Sequence, residues 1–537
     1  MPGMNSGLSP ADPTLVAAFR SALLHQGAIA LLIIAFLGLL WATARTWRRT
    51  PQTAGSERSG SREARGRRLL RVGFGLLWIL DGILQAQPKM AGGLAAQVIE
   101  PTAAASPGWV QHLVNWGGTI WSFHPIQSGT ASVWIQVGIG IWLLAAKSGP
   151  WSRLAGLAAV AWGLVVWVFG ESFGGIFAPG LSWLTGAPGA VLLYVVAGAL
   201  VALPEQAWRS PRLGRLLLGG IGLFLIGMAV LQAWPGRGFW SGTIDGKPGT
   251  LAGMAQQMSR TPQPHVLSAL EARFGSFAAS NGFAVNLVVV IALAAMGAIF
   301  LTGKPRLVRY AVWFGIVFCL ADWVLVQDFG FLGGLGTDPN SMIPFILLFS
   351  AGYFALTPAP EMDTAPEMDT VPTVAAEGRR PLTPQALGAA VTTASARSVA
   401  AVAALAIIVL GAAPMAAAAA NRTADPILAL AVAGNSASMN LPAPGFQLTD
   451  QNSQPVSLAS LRGKVVLMTF LDPVCTTDCP IIGAEMKETG VLLGSADRNV
   501  ELVAVVANPT YRSTVFTQAF DREEGLSTVP NLSLIHI

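Results

Sequence analysis

Ten long apolar segments constrain this chain more than any other feature of its sequence. About 20 apolar residues in a helix cross a bilayer. Hydrophobic residues make up 53% of the chain and charged residues only 11%, against about 25% charged residues in soluble domains. We predict a membrane all-α helical bundle of about ten spans, followed by a smaller α/β domain. The predicted spans are Gly27–Trp41, Val72–Ala86, Ala131–Ala146, Leu154–Glu171, Pro188–Leu203, Leu213–Trp234, Phe283–Thr302, Tyr310–Gln327, Met342–Leu356 and Ser398–Ala420.

Arginine distribution predicts the orientation of these spans. Nine arginines lie between Arg45 and Arg71, and this excess places the loop in the cytoplasm and the N-terminus outside. With the spans alternating, the short loops at about 172–187 and 328–341 are external, and neither contains Lys or Arg. The pI near 9.4 therefore reflects membrane topology and does not indicate nucleic-acid binding.

Two sequence patterns occur twice. LQAQP at Leu84–Pro88 returns as LQAWP at Leu231–Pro235, and WVFGESFG at Trp167–Gly174 returns as WVLVQDFG at Trp323–Gly330. Each copy falls in a set of four predicted spans. Because four is even, both sets would insert in the same orientation, as two parallel four-span repeats.

These features divide the chain into predicted regions. The Pro-rich, acidic region that contains APEMDT twice is predicted to be a disordered cytoplasmic linker. The tenth apolar segment, a span or signal-like segment, carries the rest of the chain outside. The regions are an external tail (1–26), the first span with the Arg-rich loop (27–71), two membrane repeats (72–204 and 205–357), the linker (358–397), the tenth segment (398–420), a second linker (421–440), the C-terminal domain (441–531) and a terminal piece (532–537).

The main candidate site lies in Lys464–Met486, where an apolar run leads to Cys475 and Cys479 and Pro480 opens a helix. A polar turn, DQNSQ, predicts a β-hairpin before this run. The run itself is predicted to be a buried strand, and Asn499–Pro509 a second one, so that strand, helix and strand form a parallel βαβ unit. A cysteine at a helix N-terminus has its thiolate favoured by the free N–H groups. The sequence therefore predicts a reactive dithiol, in preference to two structural cysteines.

Three motifs in this region carry a family resemblance: P-x-P-x-F-x-L-x-D at Pro442–Asp450, VSLASLRGK at Val456–Lys464 and TFLDPVCTTDCP at Thr469–Pro480. They resemble the Sco/SenC family of thioredoxin-fold copper chaperones. The resemblance implies that Cys475 and Cys479 bind copper, Cu(I) or Cu(II), together with a distal histidine. It also implies delivery to the binuclear copper site of a cytochrome c oxidase subunit. One departure is ANPTYRS at Ala507–Ser513, where the family usually has Asp-Pro.

The last six residues, LSLIHI at 532–537, are what a common transposase library adapter encodes when it is read in frame. We therefore expect them to be an assembly artefact, with the gene continuing beyond this point. On this interpretation the copper-binding histidine is missing from the chain, and His536 does not serve as the third ligand.

Ionisable residues in the apolar half are secondary candidates. Asp81 lies inside one span, and Asp322 lies in what the sequence suggests is a counterpart region, so a proton, quinone or ion path competes with simple helix-to-helix hydrogen bonding. Glu171 and Asp328 fall at external span ends. Three histidines in external loops are read as part of an interfacial aromatic belt, and Cys319 as packing. The histidines are His112, His124 and His265, with Trp109, Trp116 and Trp121 nearby.

The four-span repeat resembles, weakly, the DoxX-like group of small membrane proteins, some of which are tied to quinone and thiol redox chemistry. Taken together, the sequence predicts a multi-pass bacterial plasma-membrane protein with an extracytoplasmic Sco-like domain. Its function would be copper delivery or cysteine redox maintenance in oxidase assembly. Two rivals stay open: a thiol–disulfide oxidoreductase coupled to quinone through the helices, and a transporter or scaffold with an appended redox domain.

Overall fold

The computed structural model describes residues 13–47, 63–122, 124–244, 246–332, 334–358, 384–420, 442–473, 478–493, 499–506, 513–526 and 532–536. These residues form two compact units, Met1–Ser436 and Ala437–Ile537. The first unit is helical and the second contains a mixed β-sheet, so the fold comprises an apolar helical part and an α/β domain.

Helices make up almost all of the described first unit. A short antiparallel pair, β1 (Thr243–Ile244) and β2 (Lys247–Pro248), precedes α10. A π-helical turn, Leu94–Ile99, joins α3 to α4. The helices are α1 (Pro13–Trp47), α2 (Arg65–Gln85), α3 (Met90–Gly93), α4 (Glu100–Ala103), α5 (Gly108–Ser122), α6 (Pro125–Ala145), α7 (Gly149–Phe169), α8 (Ala190–Ala202), α9 (Pro211–Ala233), α10 (Thr250–Met258), α11 (His265–Ser280), α12 (Gly282–Thr302), α13 (Pro305–Leu325), α14 (Met342–Leu356) and α15 (Pro384–Ala420).

Each of the ten predicted spans lies mainly on one of these helices. Among the described residues, seven helices are long and apolar enough to cross a membrane, and α2 counts as an eighth if it is joined to the bent segment Met90–Ala103. The remaining two, α8 with 13 residues and α14 with 15, are apolar but shorter. At 1.5 Å per residue they reach only about 20–23 Å, less than the roughly 30 Å of a hydrocarbon core. Several apolar helices thus fit a membrane protein, while the count of ten spans stays a prediction.

Two groups of four helices match in length and order. Helices α2, α6, α7 and α8 have 21, 21, 21 and 13 residues, and α9, α12, α13 and α14 have 23, 21, 21 and 15. In each group the first two helices cross at a pair of glycines. A Cβ at Gly140 would lie 2.6 Å from the Gly75 carbonyl oxygen, and a Cβ at Gly297 would lie 2.6 Å from that of Gly222. The backbones approach closely at both crossings, although a Cβ at Gly75 would lie 3.2 Å from Gly140 O and a Cβ at Gly222 would lie 2.7 Å from Gly297 O.

The loop after the third helix also matches between the groups. Ser172 and Phe173 have φ of 48° and 60°, and Asp328 and Phe329 have 47° and 59°, all in the left-handed region. The indole Nε1 of Trp167 donates to the Pro188 carbonyl oxygen at 2.9 Å, and that of Trp323 donates to Pro339 O at 2.7 Å. The second doubled sequence pattern, at Trp167–Gly174 and Trp323–Gly330, therefore marks two loops with matching local geometry.

The counterpart relation expected between Asp81 and Asp322 is wrong. When Leu84 is aligned on Leu231, Asp81 of α2 matches Met228 of α9. When Trp167 is aligned on Trp323, Asp322 of α13 matches Val166 of α7. The two aspartates lie on the first and third helices of their groups, so each is particular to its own group.

Helix α15 begins at Pro384, so the last residues of the predicted disordered linker, 384–397, are helical. This segment is rich in alanine, a strong helix former, and proline fits a first helical position. Residues 359–383 of that linker lie outside the described residues. Helix α15 packs against α6 and α1.

The second unit contains a five-stranded sheet in the order β4-β3-β7-β6-β5. A hairpin, β3 (Gln447–Asp450) with β4 (Pro455–Ser457), is antiparallel as predicted from its polar turn. Strand β5 (Val465–Leu471) leads through α16 (Asp478–Leu493) to β6 (Val500–Val506), and β5 pairs with β6 in parallel, which confirms the predicted βαβ pairing. Helix α17 (Thr514–Glu523) follows.

The prediction of a buried β5 is wrong, because among the described strands β5 has one neighbour and lies at the sheet edge. Val465 is 68% exposed and Phe470 61%, and only Leu471 is buried along this strand. By contrast, β6 is buried from Leu502 to Val506, as predicted.

Strand β7 (Leu532–His536) pairs in parallel with β6 and antiparallel with β3. This strand is formed by the residues that we expect to be adapter-derived. A strand conformation carries no information about the origin of the codons, so that expectation stays a prediction.

Candidate functional site

The candidate site lies at the carboxyl edge of the parallel strands. Leu471 of β5 is paired with Val506 of β6, and Val506 with His536 of β7. Asp472 and Pro473 follow β5, and α16 begins at Asp478. Residues 474–477, which include Cys475, lie outside the described residues. The fold thus places the second cysteine at the strand-to-helix junction, where the sequence predicted the dithiol.

Cys479 occupies the first turn of α16 and faces the interior. It is 8% exposed and packs in a core cluster with Leu471, Met486 and Phe520. The backbone N–H of Asp472 donates to its Sγ at 3.2 Å. An N–H donor is bound more strongly by a thiolate than by a thiol. The Asp472 N–H thus favours an anionic sulfur, whereas burial among apolar side chains favours the neutral thiol.

An ion pair lies at the opposite end of the β5–β6 pair, where β5 begins. Lys464 precedes β5, and its Nζ lies 2.6 Å from Oε2 of Glu501 in β6. Lys464 is 39% exposed, so the ion pair adds little stability. The ion pair links the start of β5 to β6, and the register of the two strands is set by their backbone pairing.

The donor set is suited in kind to copper, since thiolates select Cu(I) and imidazole suits Cu(II) as well. Among the described residues, no group of three or more His, Cys, Asp or Glu side chains is close enough to hold a metal ion. The register places the backbone of His536 at the same sheet edge as the cysteine turn. Its side chain lies outside the described residues, so the expectation that it is not a ligand stays untested.

Asp81 in the helical unit makes a helix-to-helix contact. Its side chain is 2% exposed, and the Tyr194 hydroxyl of α8 donates to its Oδ1 at 3.3 Å. The ring of Tyr194 also packs edge-on against Trp78 and Phe74, at 4.9 and 5.1 Å between centroids. The contact agrees with helix-to-helix hydrogen bonding at Asp81, the alternative to a proton, quinone or ion path.

Asp322 in α13 has a different environment. Its Oδ2 accepts a hydrogen bond from Gln327 Nε2 at 3.0 Å, and the same Nε2 donates to the Leu184 carbonyl oxygen at 3.3 Å. Cys319, one turn earlier, is buried, in agreement with a packing role.

Glu171 caps the start of α8: both of its carboxylate oxygens accept the Val191 backbone N–H at 3.2 Å. Asp338, in the matching loop of the second group, accepts from the Asn340 backbone N–H at 2.7 Å. Burial raises the pKa of Asp338 above its ordinary value. The two loops that are predicted to be external thus hold buried carboxyls with organised hydrogen-bond partners.

A carboxyl pair that no sequence pattern predicted, Glu271 and Asp328, lies between α11 and the end of α13. Glu271 is fully buried and Asp328 is 1% exposed. Burial and then the Asp328 charge raise the pKa of Glu271 to about 7. Burial also raises the pKa of Asp328. The two residues are far apart in the chain, and only the packing of α11 against α13 brings them together.

The histidines do not gather into a site among the described residues. His112 bonds the Gly108 carbonyl oxygen of its own helix at 2.7 Å. His124 is buried at the start of α6, and His265 is exposed at the start of α11. Trp109 and Trp116 are more than half exposed on α5, and their membrane-belt role stays a prediction.

Comparison with known proteins assigns the class of the second unit. Residues 439–532 match the AhpC/TSA family. No curated protein matches the chain. The C-terminal unit therefore contains a thioredoxin-like redox domain.

Among solved structures, similar chains include a SCO1/SenC family lipoprotein from Bacillus anthracis, at 24% identity and a TM-score of 0.17 over 18% of this chain. BsSco, described as a Sco-family cytochrome c oxidase assembly protein with a disulfide switch, has 24% identity and a TM-score of 0.18 over 19% of this chain. Copper-bound ScoI from Bradyrhizobium japonicum has 26% identity and a TM-score of 0.16 over 18% of this chain. This chain spans 58%, 58% and 59% of their respective lengths. The similarity is weak, and the DoxX-like resemblance has no counterpart among these matches.

Proposed function

We propose that this protein is a membrane-anchored thiol protein whose C-terminal domain lies outside the cytoplasm and acts in cytochrome c oxidase assembly, by copper binding and delivery or by cysteine redox maintenance. The supporting observation is the position of Cys479, buried at the helix start with its sulfur on the Asp472 N–H and four residues after Cys475. The Arg-rich loops support this orientation, and the matched helix groups support a tandem four-helix repeat.

In copper binding, Cys475 and Cys479 each lose a proton and their thiolates hold one Cu(I) ion. A third donor, which lies outside the described residues of this chain, completes the set. Release is a ligand exchange in which thiolates of the receiving protein displace those of this one. The Asp472 N–H supports the anionic sulfur of Cys479 before and after transfer.

The main rival is thiol–disulfide exchange, in which the buried Cys479 would act as the second, resolving cysteine. The Cys475 thiolate attacks one sulfur of a target disulfide and releases the other as a thiolate. Cys479 then attacks the Cys475 sulfur, so that this protein ends as a disulfide and the target ends with two thiols. To return the disulfide to two thiols, a quinol would have to supply two electrons and two protons through the helices, and that coupling stays a prediction. A transporter or scaffold role for the helices is the other rival.

Copper titration of the full-length protein in detergent tests the proposal. Under anaerobic conditions, with a Cu(I) chelator as competitor, we expect one Cu(I) ion per chain. Cys475→Ser and Cys479→Ser should each lower the affinity at least tenfold. Cys319→Ser is the matched control, because it removes the third cysteine from the helical unit and should leave binding unchanged.

Two other outcomes decide against copper. Equal binding by the wild type and Cys479→Ser would contradict the copper assignment. The absence of binding, together with a Cys475–Cys479 disulfide that dithiothreitol reduces readily, would establish the exchange reaction in its place.

A further inference from the structure

The segment between α9 and α12 folds into two helices, α10 and α11, that pack against each other. It follows the first helix of the second group and is predicted to lie on the external side. Its α11 also contacts α13 of the same group. At this contact Glu271 of α11 meets Asp328, which follows the end of α13. The contact is therefore a place where the outer helical pair is attached to the bundle.

The polar contacts around the pair come from the turn between α10 and α11. Gln263 Nε2 donates to Glu271 Oε2 at 2.7 Å, and the Thr261 hydroxyl lies 3.1 Å from Asp328 Oδ2 and 2.7 Å from the Met258 carbonyl oxygen, between which it shares its one proton. Each carboxyl has one more buried oxygen, Glu271 Oε1 and Asp328 Oδ1, with no hydrogen-bond donor among the described residues. These two oxygens belong to carboxyls that interact directly, so a single proton between them satisfies both.

The charged groups around the pair do not neutralise it. Helices α10 and α12 contain no charged residue. Arg260 and Arg273, on the outer helical pair, are exposed, and neither is among the groups that act on Glu271 or Asp328. Asp322, near the end of α13, is bonded to Gln327. Two buried carboxylates without a cation cannot both be ionised at low cost.

We propose that Glu271 and Asp328 form a proton-binding site that holds the α10–α11 pair to the end of α13 when it carries one proton and releases it when both carboxyls are ionised. The protonated Glu271 donates to the Asp328 carboxylate, while Gln263 and Thr261 hold the outer oxygens. Loss of the proton leaves two like charges in a buried contact.

The direction of the pH effect follows from the raised pKa of Glu271, about 7 in the folded protein against an ordinary value of 4.5. Between these two values the docked state keeps a proton that the released state has lost. Stability of the contact is therefore highest in acid, falls as the pH rises from about 4.5, and is lost through pH 7. Between about pH 4.5 and pH 7, each unit of pH shifts the equilibrium from the docked to the released state by up to about tenfold, and above pH 7 this shift levels off because both states have lost the proton.

Hydrogen–deuterium exchange of the full-length protein in detergent tests this site. We compare the protection of backbone amides in 250–280 at pH 6 and pH 8, corrected for intrinsic exchange rates. In the wild type we expect protection to fall by up to about tenfold. In Glu271→Gln, whose amide donates without titrating, protection should be independent of pH. Glu205→Gln changes the charge equally in the loop between α8 and α9, and it should behave as the wild type does.

Other outcomes overturn the proposal. One is amide protection in the wild type that is the same at pH 6 and pH 8. Another is amide protection in Glu271→Gln that falls with pH as much as it does in the wild type. Restoration of protection at pH 8 by millimolar CaCl2, reversed by a chelator, would show that a cation and not a proton occupies the site. If Glu271→Gln does not fold, Asp328→Asn serves instead and should also lose the pH dependence.

Discussion

The two groups of four helices match at their glycine crossings and in the loop after the third helix, and they differ in their buried polar groups. Both have glycine crossings between the first and second helices and left-handed residues after the third. In the first group the loop residues are Glu171 and Ser172, and in the second they are Gln327 and Asp328. The carboxyl of the first group is Glu171, which caps α8. The carboxyl of the second group is Asp328, one aligned position later, and it faces Glu271. Glycines and left-handed turn residues thus occupy matched places in the two groups, while the buried ionisable residues differ between them.

The strongest test of the shared scaffold is a methyl group at each crossing. Gly140→Ala and Gly297→Ala each place a Cβ 2.6 Å from a carbonyl oxygen of the facing helix, so the helices must separate. We expect each variant to lose about 3 kcal/mol of stability, the upper part of the range for overpacking. Thermal unfolding of the detergent-solubilised protein measures it.

Gly220→Ala in α9 is the matched control, because no atom lies within 4 Å of its Cβ position. It should be neutral or slightly stabilising, since alanine has the higher helix propensity. If only one of the two crossing variants is destabilised, the two groups do not share their crossing geometry.

A smaller effect is expected from the polar contact that only the first group has. Tyr194→Phe removes the donor to Asp81, whose matched position in the second group is Met228. We expect a loss of about 1–2 kcal/mol, because a buried carboxyl loses its partner. Tyr353→Phe, on the fourth helix of the second group, should change stability by less than about 0.5 kcal/mol. Equal losses of stability in Tyr194→Phe and Tyr353→Phe would show that the hydrogen bond to Asp81 does not cause the loss.

The smallest effect concerns the two matched tryptophans. Trp167→Phe and Trp323→Phe each remove one indole N–H bond to a proline carbonyl. Each should cost about 1 kcal/mol beyond the change in packing, and the two costs should be equal within error. Urea unfolding of both variants in the same detergent provides the comparison. Unequal costs would mean that the two loops are held differently.

Local sequence patterns predicted the elements that form between residues close together in the chain. The polar turn predicted the β3–β4 hairpin, and the apolar runs predicted the helices. The burial of β5 was not predictable in this way, because VVLMTFL has the composition of a central strand whether it has one neighbour or two. The same limit applied to the site. Cys479 was found from its spacing, but the contact between Glu271 and Asp328 depends on tertiary packing that no spacing encodes.

The docking of α15 has a consequence for biogenesis. Among the described residues, α15 is the last helix of its unit to leave the ribosome, and it packs on α6, where Gly138 meets Ile408 and Gly411 meets Trp134. At about 5–20 residues per second, synthesis takes roughly 15–50 s to proceed from Gly138 to Ile408. During that time this face of α6 has no α15 against it, and lipid or the insertion machinery must cover it. Helix α6 is therefore made early in synthesis, and its contact with α15 forms late.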